Sequence, residues 1–367
     1  MRVSLAAAGT AGHIEPALAL AHWLQSSDSE IRCEFIGTSA GLDTALMESS
    51  GFVRHPITKA PFPRKISLQA LLWPIRFSRS LLQISRALQG SDLVVGFGGY
   101  VCAPTYIVAK LKNLPILIHE ANVKPGMANN LGRRLGARLT VAFESTRTLH
   151  PKWSIAEVVG MPLRATVRNL AGSTLAQRDE VRKQKSHDWG FDPKRPIALV
   201  FGGSQGSRRI NEVITELLPE SSAAGIQIVH AVGAANQLPA RSESYLPLHY
   251  ISDMPEAMIA SDFAITRGGA VTCAELGALH TYGVVVPLSI GNGEQAFNAL
   301  ELTTRGGATV IVEKEFSARL LSERFISYVK AAQAYQSESK AALFPLDAEA
   351  RLGCIAKELL GMRKKRT

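Results

Sequence analysis

The chain has 367 residues, of which 46% are hydrophobic and 20% are charged, and its formal net charge is +10. A chain of this length and composition is neither disordered nor a small disulfide scaffold, and we expect two globular domains. The positive charge favours an anionic partner, such as a nucleotide, a nucleic acid or an acidic membrane surface.

The cysteines and the apolar segments set further limits. The cysteines lie far apart, with no CxxC pair and no histidine at zinc spacing, which predicts reduced, packed thiols and no bound metal. No stretch reaches the ~18–20 apolar residues that span a bilayer, and the apolar run after Arg2 ends in a glycine turn, unlike a secretory signal. We therefore expect any membrane contact to be made from the surface. The cysteines are Cys33, Cys102, Cys273 and Cys354.

Short apolar runs alternate with helical patterns along the whole chain. Several runs are continuous stretches of valine, isoleucine and leucine, which is typical of parallel strands covered on both faces. The alternation in both halves predicts an α/β protein with two Rossmann-like, doubly wound domains that face one cleft. The predicted strands are 3–8, 31–36, 93–97, 115–119, 138–142, 156–159, 197–201, 226–232, 248–251, 262–266, 284–288 and 308–312, and the predicted helices include 16–26, 126–136, 207–218 and 294–305.

The boundary between the two domains is expected near residues 160–164. A polar stretch rich in lysine and arginine follows this boundary, over 168–195. We expect an N-terminal domain over 1–163 and a C-terminal domain over 164–340. A C-terminal helix over 341–367 is expected to pack back on the N-terminal domain.

Two glycine turns follow apolar strands, one at 8–13 and one at 202–206. Each would open a helix, whose free backbone N–H groups and positive dipole end suit a phosphate group. Neither turn has the spacing of the dinucleotide fingerprint or of the P-loop. Taken alone, each is explained equally well as a tight turn that needs a positive φ.

His13 directly follows the first glycine turn. At the carboxyl edge of a sheet, a neutral imidazole is placed to take a proton from an attacking hydroxyl. The alternative is a surface histidine at a helix start.

Further polar or glycine-rich segments follow predicted strands, where open α/β sheets bind their ligands. The N–H groups of 269–272 are suited to a diphosphate, Glu275 to the two hydroxyls of a ribose, and Gln295 to sugar hydroxyls. The alternative for Glu275 is a carboxylate that only complements the helix dipole. These segments are 96–100, 119–122, 266–275 and 292–298.

Seven motifs of the chain stand in the order of one enzyme family. With them, essentially the whole chain resembles the GT-B glycosyltransferases of family 28 that act in peptidoglycan synthesis, and most of all their actinobacterial branch. Each motif alone is weak, but seven in order are specific. The motifs are GTAGHIEP at 9–16, GFGGYV at 96–101, HEAN at 119–122, GMPLR at 160–164, GGSQGSRRIN at 202–211, RGGAVTCAE at 267–275 and NGEQAFNA at 292–299.

The resemblance implies roles for individual residues. His13 matches the histidine proposed as general base, Asn122 matches a contact to N-acetylglucosamine, and Ile251 matches the backbone contact that reads uracil. Thr10, Ala11 and Gly12 match the loop near the donor sugar and diphosphate, Arg164 and Ser204 match diphosphate contacts, and Gln295 matches a sugar contact. The residues that match the phosphate and ribose elements are Gly269, Ala270, Val271, Thr272, Cys273, Ala274 and Glu275.

Four residues depart from the pattern of this family. Alanine stands at 121 where glutamine is usual, methionine at 161 where asparagine is usual, and glycine at 268 where serine is common. Glu294 replaces a neutral or basic residue. Each departure affects a secondary contact rather than the reaction. Residues 279–283 are bulkier than the small residues usual there, and the sequence offers no account of them.

The resemblance also implies a reaction and its partners. N-acetylglucosamine would pass with inversion from UDP-N-acetylglucosamine to the C4 hydroxyl of lipid I, the undecaprenyl-diphosphate-linked N-acetylmuramoyl-pentapeptide, and would give lipid II. The donor would bind mainly the C-terminal domain, lipid I would dock on the N-terminal domain, and no cofactor is expected. The implied location is peripheral, at the cytoplasmic face of the cell membrane. Other cell-wall synthesis proteins are expected partners, and nucleic acid is not.

A lipid-linked acceptor makes the segment 62–79 informative, because it mixes apolar and aromatic residues with cations. This mixture suits contact with an anionic inner-leaflet surface. The alternative is an ordinary amphipathic helix packed on the sheet, which residues alone would favour. The expected membrane contacts are Arg64, Lys65, Leu68, Leu72, Trp73, Ile75, Arg76, Phe77 and Arg79.

Three other functions compete with this interpretation. A glycolipid glycosyltransferase of the GT-B type would share the donor site and differ in its acceptor. A UDP-N-acetylglucosamine epimerase would have the same architecture and need no lipid. A basic nucleotide- or nucleic-acid-binding protein would need aromatic side chains clustered with lysine and arginine, yet aromatic residues are only 7% of this chain.

Overall fold

A computed structural model of the protein describes residues 1–38, 50–60, 73–203, 205–288, 293–338 and 344–364. The chain forms two compact units. The first unit combines Met1–Arg164 with Pro345–Thr367, and the second is Ala165–Phe344. Each unit contains one parallel sheet with helices between its strands. The predicted α/β class with two doubly wound sheets is therefore confirmed.

The first sheet has seven parallel strands in the order β3-β2-β1-β4-β5-β6-β7. Its central strands are buried on both faces, which explains their continuous apolar sequences. The edge strand β3 was not predicted, because it contains Pro56 and little apolar sequence; an edge position tolerates proline. The strands are β1 Arg2–Ala6, β2 Arg32–Thr38, β3 Val53–Ile57, β4 Leu93–Gly96, β5 Ile116–Glu120, β6 Arg138–Val141 and β7 Glu157–Val158.

The first helix begins five residues before the predicted start at 16. Its N-cap is Thr10, so His13 lies in its first turn, and Pro16 lies inside the helix rather than at its start. The described helices of this unit are α1 Ala11–Ser27, α2 Trp73–Ala87, α3 Cys102–Leu111, α4 Met127–Arg134, α5 Glu144–Leu149 and, at the C-terminus, Ala348–Lys364, with a short 3₁₀ helix at Pro151–Trp153.

The C-terminal helix Ala348–Lys364 completes the core of the first unit. It packs along α1, and Gly353 lies where any Cβ would overlap the ring of Trp23. Lys357 Nζ stands 5.1 Å above the centre of the same ring. The apolar residues that this helix adds to the core beneath β1 are Leu352, Ile355, Ala356 and Leu360.

The second sheet has six parallel strands in the order β10-β9-β8-β11-β12-β13. The strand expected at 248–251 lies instead at Tyr245–Leu248, where it pairs with Ile228–Ala231. Ile251 is consequently in the loop after this strand. The strands are β8 Ile197–Phe201, β9 Gln227–Ala231, β10 Tyr245–Leu248, β11 Phe263–Thr266, β12 Tyr282–Val285 and β13 Ala308–Val310.

Helices cover the second sheet in the same way. The described helices of this unit are α6 Ala165–Ala171, α7 Leu175–Trp189, α8 Arg208–Ala223, α9 Met254–Ala260, α10 Ala270–Ala278, α11 Glu294–Thr303 and α12 Ala318–Glu338. The C-terminal helix Ala348–Lys364, which belongs to the first unit, is α13.

The bulky residues at 279–283 now have a structural account. His280 follows the C-cap of α10 with a φ of +51°, and its ring lies 6.0 Å from that of Tyr335 on α12. The Tyr282 hydroxyl hydrogen-bonds Thr309 at 2.7 Å. These larger side chains therefore fill space between the end of α10, the sheet and α12.

Three of the four cysteines are packed thiols, as predicted, but Cys354 on α13 is exposed. Burial raises the pKa of Cys102 to about 11 and the pKa of Cys33 and of Cys273 to about 12, so these thiols stay protonated at neutral pH. Among the described helices, none is long and apolar enough to cross a bilayer.

Candidate active site

The loops after β1 and β4 meet at the carboxyl edge of the first sheet. Gly98 and Gly99 both have positive φ, +107° and +83°. A Cβ on Gly98 would lie 2.9 Å from the His13 ring, and one on Gly99 would overlap the carbonyl of Ala8. Both glycines are therefore required by close approach as well as by conformation.

His13 is held by its own turn. Its backbone N–H donates to the Thr10 carbonyl at 3.0 Å, and its Nδ1 lies 3.2 Å from the Thr10 hydroxyl oxygen. Thr10 is the N-cap of α1, but its side chain makes no capping hydrogen bond. When Nδ1 carries the proton and donates to Thr10, Nε2 has the lone pair that a general base needs.

Cys102 fixes the glycine loop next to His13. Its Sγ accepts from the Gly98 N–H at 3.3 Å and lies 3.0 Å from the Gly98 carbonyl and 3.2 Å from the Ala6 carbonyl. One buried thiol thus joins the end of β1 to the loop after β4. No motif of the sequence indicates this role.

Glu120 is a buried carboxylate at the end of β5, and it organises the loop that follows. The strand was expected at 115–119, but it extends one residue further and includes Glu120. Glu120 accepts from the backbone N–H groups of Asn122 at 3.0 Å and Gly126 at 2.9 Å, and from the side-chain amide of Asn129 at 2.9 Å.

Burial raises the pKa of Glu120, whereas these hydrogen bonds lower it. The Asn122 side chain also donates to Glu120, at 3.3 Å, so the predicted sugar contact is oriented by this carboxylate. Asn129 in turn accepts from the Tyr106 hydroxyl at 2.8 Å. The sequence interpretation included Glu120 in the segment 119–122 without assigning it a role of its own, and it did not identify Asn129.

His119 is fully buried beside Phe97, and its Nδ1 lies 3.3 Å from the Thr140 hydroxyl. Burial lowers the pKa of His119 to about 3, so its ring is neutral at physiological pH. It belongs to the interior of the sheet rather than to the loop surface.

Arg164 is the last residue of the first unit. Its Nη1 lies 4.0 Å from the Glu15 carboxylate of α1. This ion pair places the guanidinium near the first turn of α1, two residues along the chain from His13.

The start of α10, in the second unit, has no side-chain cap. Gly269 is the N-cap, and the first turn of the helix contains no acidic residue. Its first N–H groups therefore suit an anion. Cys273 and Ala274 are buried, so a ligand would meet this helix through its backbone. Glu275, one turn further along, is also buried.

Gln295 has a structural task in addition to its expected sugar contact. Its side-chain oxygen accepts from the N–H groups of Gly268 at 3.2 Å and Leu288 at 3.0 Å. A sugar contact would accordingly come from its amide nitrogen. A Cβ on Gly268 would overlap the Gln295 carbonyl, so this loop needs glycine at 268.

Arg267 supports the loop after β8. Its guanidinium donates to the Ser207 hydroxyl at 2.7 Å and to Glu313 at 2.5 Å. Ser207 is the N-cap of α8 and accepts from the Ile210 N–H. Arg267 thereby joins the ends of β8 and β11, a role that the sequence interpretation did not assign. Ser204, the predicted diphosphate contact in this loop, lies outside the described residues.

Ile251 lies in the loop between β10 and α9, at the carboxyl edge of the sheet. Only 4% of this residue is exposed, whereas Tyr250 before it is 57% exposed. The buried side chain anchors the backbone of the loop. The expected uracil contact would come from that backbone.

The expected membrane segment is described only in part, because Arg64, Lys65, Leu68 and Leu72 lie outside the described residues. Trp73 and Phe77 stack at 4.7 Å on α2, and Ile75 on the same helix is 68% exposed. Arg76 and Arg79 are also exposed, while Ser80, Ile84 and Ala87 pack inward. The helix thus has one face on the unit and one apolar and basic face in solvent.

Comparison with known proteins identifies the family. The model for the glycosyltransferase family 28 N-terminal domain matches residues 3–140, and that for the glycosyltransferase family 28 C-terminal domain matches residues 197–352. The chain belongs to glycosyltransferase family 28. The resemblance inferred from the seven motifs is confirmed.

One relative within family 28 comes from Corynebacterium glutamicum and is named UDP-N-acetylglucosamine–N-acetylmuramyl-(pentapeptide) pyrophosphoryl-undecaprenol N-acetylglucosamine transferase. It is 40% identical over 345 residues, which is 93% of each chain.

Solved structures agree on the fold. MurG of Acinetobacter baumannii has a TM-score of 0.70 at 22% identity and covers 97% of this chain and 99% of its own. The UDP-GlcNAc 2-epimerase of Methanocaldococcus jannaschii has a TM-score of 0.63 at 12% identity, over 98% and 100%. Because transferase and epimerase share this architecture, the fold alone does not choose between their reactions.

Proposed function

We propose that the protein transfers N-acetylglucosamine from UDP-N-acetylglucosamine to the C4 hydroxyl of lipid I and thereby makes lipid II. The observation that carries this proposal is the 40% identity, over 93% of both chains, with a transferase named for this donor and acceptor. Motif residues at the carboxyl ends of both sheets support it, since ligands of such sheets bind there.

The donor binds the second unit. Its diphosphate lies at the uncapped start of α10, where N–H groups and the helix dipole favour negative charge. Glu275 holds the ribose, Ile251 reads uracil through its backbone, and the Gln295 amide nitrogen contacts the sugar. These donors are fixed before the reaction, so they stabilise the charge that grows on the leaving diphosphate.

The acceptor binds the first unit, and His13 is the general base. The C4 oxygen of the muramoyl sugar attacks the anomeric carbon of N-acetylglucosamine, and the bond from that carbon to the UDP diphosphate oxygen breaks. His13 Nε2 takes the C4 hydroxyl proton, and UDP leaves with the bonding electron pair. Thr10 supports this step because its hydroxyl oxygen is placed to accept from Nδ1–H, which leaves the lone pair on Nε2.

Positive charge for the diphosphate is supplied by Arg164, which Glu15 orients, and by the helix start. On this basis we propose a transfer that needs no metal ion. Ser204 in the loop after β8 is proposed as a further diphosphate contact by its match to the family motif.

The protein meets its lipid-linked acceptor at the cytoplasmic face of the cell membrane. The exposed face of α2 supports this location, since the exposed Ile75 and Leu82 share it with the exposed Arg76 and Arg79. Apolar groups flanked by cations favour the boundary of an anionic leaflet. Contact here would be peripheral.

The deciding experiment is transfer of radiolabelled sugar from UDP-N-acetylglucosamine to a soluble lipid I analogue, with and without a chelator. Labelled disaccharide product in both samples is the expected result. Label that reaches only other glycolipids, or an epimerised UDP-sugar without lipid product, would overturn the acceptor assignment in favour of the competing GT-B enzymes. Product that disappears with chelator would overturn the metal-independent step alone.

A further inference from the structure

The loop that carries Ile251 is fixed by a buried lysine from another helix. Lys185 on α7 is only 9% exposed, and its Nζ pairs with the carboxylates of Asp253 and Glu256, the latter at 2.8 Å. Asp253 is the N-cap of α9 and lies two residues after Ile251. A buried lysine is uncommon and indicates that its position in the fold is closely specified.

Asp253 does not play the usual role of an N-cap residue. An aspartate at this position normally accepts from an N–H group in the first turn of its own helix. Here its side chain makes no such hydrogen bond, and its carboxylate is paired with Lys185 instead. The lysine thus holds the residue at which the loop becomes α9.

A second side chain of α7 fixes the other end of α9. Arg182, one turn before Lys185, donates to the Ala260 carbonyl at 2.9 Å and to Asp262 at 3.0 Å. It also donates to the carbonyls of Pro193 and Arg195, each at 2.9 Å. Residues three apart face the same side of a helix, so side chains from one face of α7 bind both ends of α9.

The position of this loop suits the base of a nucleotide. β10 is the edge strand, and its loop lies two strands from the loop after β8 and three strands from the start of α10, spacings of about 10 Å and about 14 Å. A nucleoside with its diphosphate spans this range. A diphosphate at the central helix starts would leave the base at the loop after β10.

We propose that Lys185 is a positioning residue for base selectivity: it fixes the Ile251 backbone so that the loop distinguishes uracil from other pyrimidines. This inference rests on the proposed function, since it takes a uridine nucleotide as the donor. Without the lysine, the like-charged carboxylates of Asp253 and Glu256, three residues apart at the start of α9, repel each other. The start of α9 then shifts, and the backbone that reads the base shifts with it.

The test is the affinity of the full-length protein for UDP and for CDP, measured by calorimetry in wild type and in K185M. Methionine keeps the length and apolar stem of lysine but removes its charge. We expect K185M to weaken UDP binding about tenfold and CDP binding less than threefold, with kcat at saturating donor within about twofold of wild type. K185R keeps the ion pairs and should keep the preference for UDP.

Two controls separate positioning from general loss of structure. K183M changes a neighbouring exposed lysine of α7 and should leave both affinities unchanged. D253N removes the charge on the other side of the pair and should narrow the preference for UDP as K185M does, so the inference can be tested even if K185M does not fold.

Equal weakening of UDP and CDP in K185M, or an unchanged ratio of the two affinities, would overturn the inference and leave the proposed donor intact. A wild-type protein with no preference for UDP over CDP would overturn the donor assignment and this inference together.

Discussion

In the first unit, the loops at the carboxyl edge are held by buried side chains: Cys102 fixes the loop after β4, and Glu120 fixes the loop after β5. In the second unit, the start of α10 has no side-chain cap and offers backbone N–H groups, with Gly268 packed against Gln295. A proton acceptor needs a side chain held in one orientation. An anion needs several donors, which a helix start supplies with its backbone.

This contrast predicts that substitutions in the first unit reduce turnover, whereas substitutions in the second unit reduce donor affinity.

The H13A variant should show the largest effect. Removing the base should lower kcat by roughly 10²–10⁴-fold and leave the Kd for UDP unchanged, because a general base contributes about that much. Steady-state kinetics with calorimetry would measure both. T10V, which removes the partner of Nδ1, should give a smaller loss of kcat. Full turnover in H13A would exclude His13 as the base.

E120Q tests whether the buried carboxylate organises the acceptor side. In the wild type, both carboxylate oxygens of Glu120 accept hydrogen bonds. In E120Q one of these oxygens becomes an NH₂ group, which faces N–H donors and cannot accept from them. The free energy of unfolding should therefore fall by about 2–4 kcal/mol. The kcat/KM for the lipid I analogue should fall, and the Kd for UDP should not change. Urea unfolding and kinetics give these values, with E144Q as an exposed control. Loss of UDP affinity in E120Q would contradict the division of tasks.

G268A is the matching change in the second unit. Its Cβ would push the Gln295 backbone away and disturb the loop before α10, so the Kd for UDP-N-acetylglucosamine should rise about tenfold while kcat at saturation changes little. The control is G172A, because a Cβ on Gly172 meets no atom within 4 Å. A fall in kcat without a change in Kd would place Gly268 on the catalytic rather than the binding side.

The smallest effect concerns pH, and it should be similar in the two units. Burial lowers the pKa of His119 to about 3 and the pKa of His230 to about 4, whereas both titrate near 6.5 in an unfolded chain. As the pH falls below 6.5, the unfolded chain binds protons that the folded protein does not. Each histidine should therefore lower the free energy of unfolding by about 1.4 kcal/mol at pH 5.5, and by almost nothing above pH 7.5.

Urea unfolding at pH 7.5, 6.5 and 5.5 would measure this dependence in wild type and in H119F. The variant lacks one of the two buried rings, so its stability should fall less steeply with pH. H187Q, at an exposed histidine, is the control. A slope that H119F leaves unchanged would show that His119 takes up a proton inside the folded unit.

The sequence by itself determined the two parallel sheets and the family. Continuous apolar strands are a local property, and they predicted almost every strand; β3 was missed because an edge strand with Pro56 lacks that pattern. The motifs also predicted that the glycine turns lie at strand ends, because strand and turn are neighbours in the chain.

Contacts between distant residues were decided only by the tertiary structure. Lys185 and Asp253 are 68 positions apart, and no local pattern marks α7 as the helix that holds the loop after β10. Gly98 is required next to His13, and Gly268 next to Gln295, because a Cβ would collide with atoms that the fold brings close. Glu120 is buried and holds the loop after β5, instead of lying in that loop, because β5 extends two residues beyond its apolar run. Such roles depend on packing through space, which spacing along the chain does not encode.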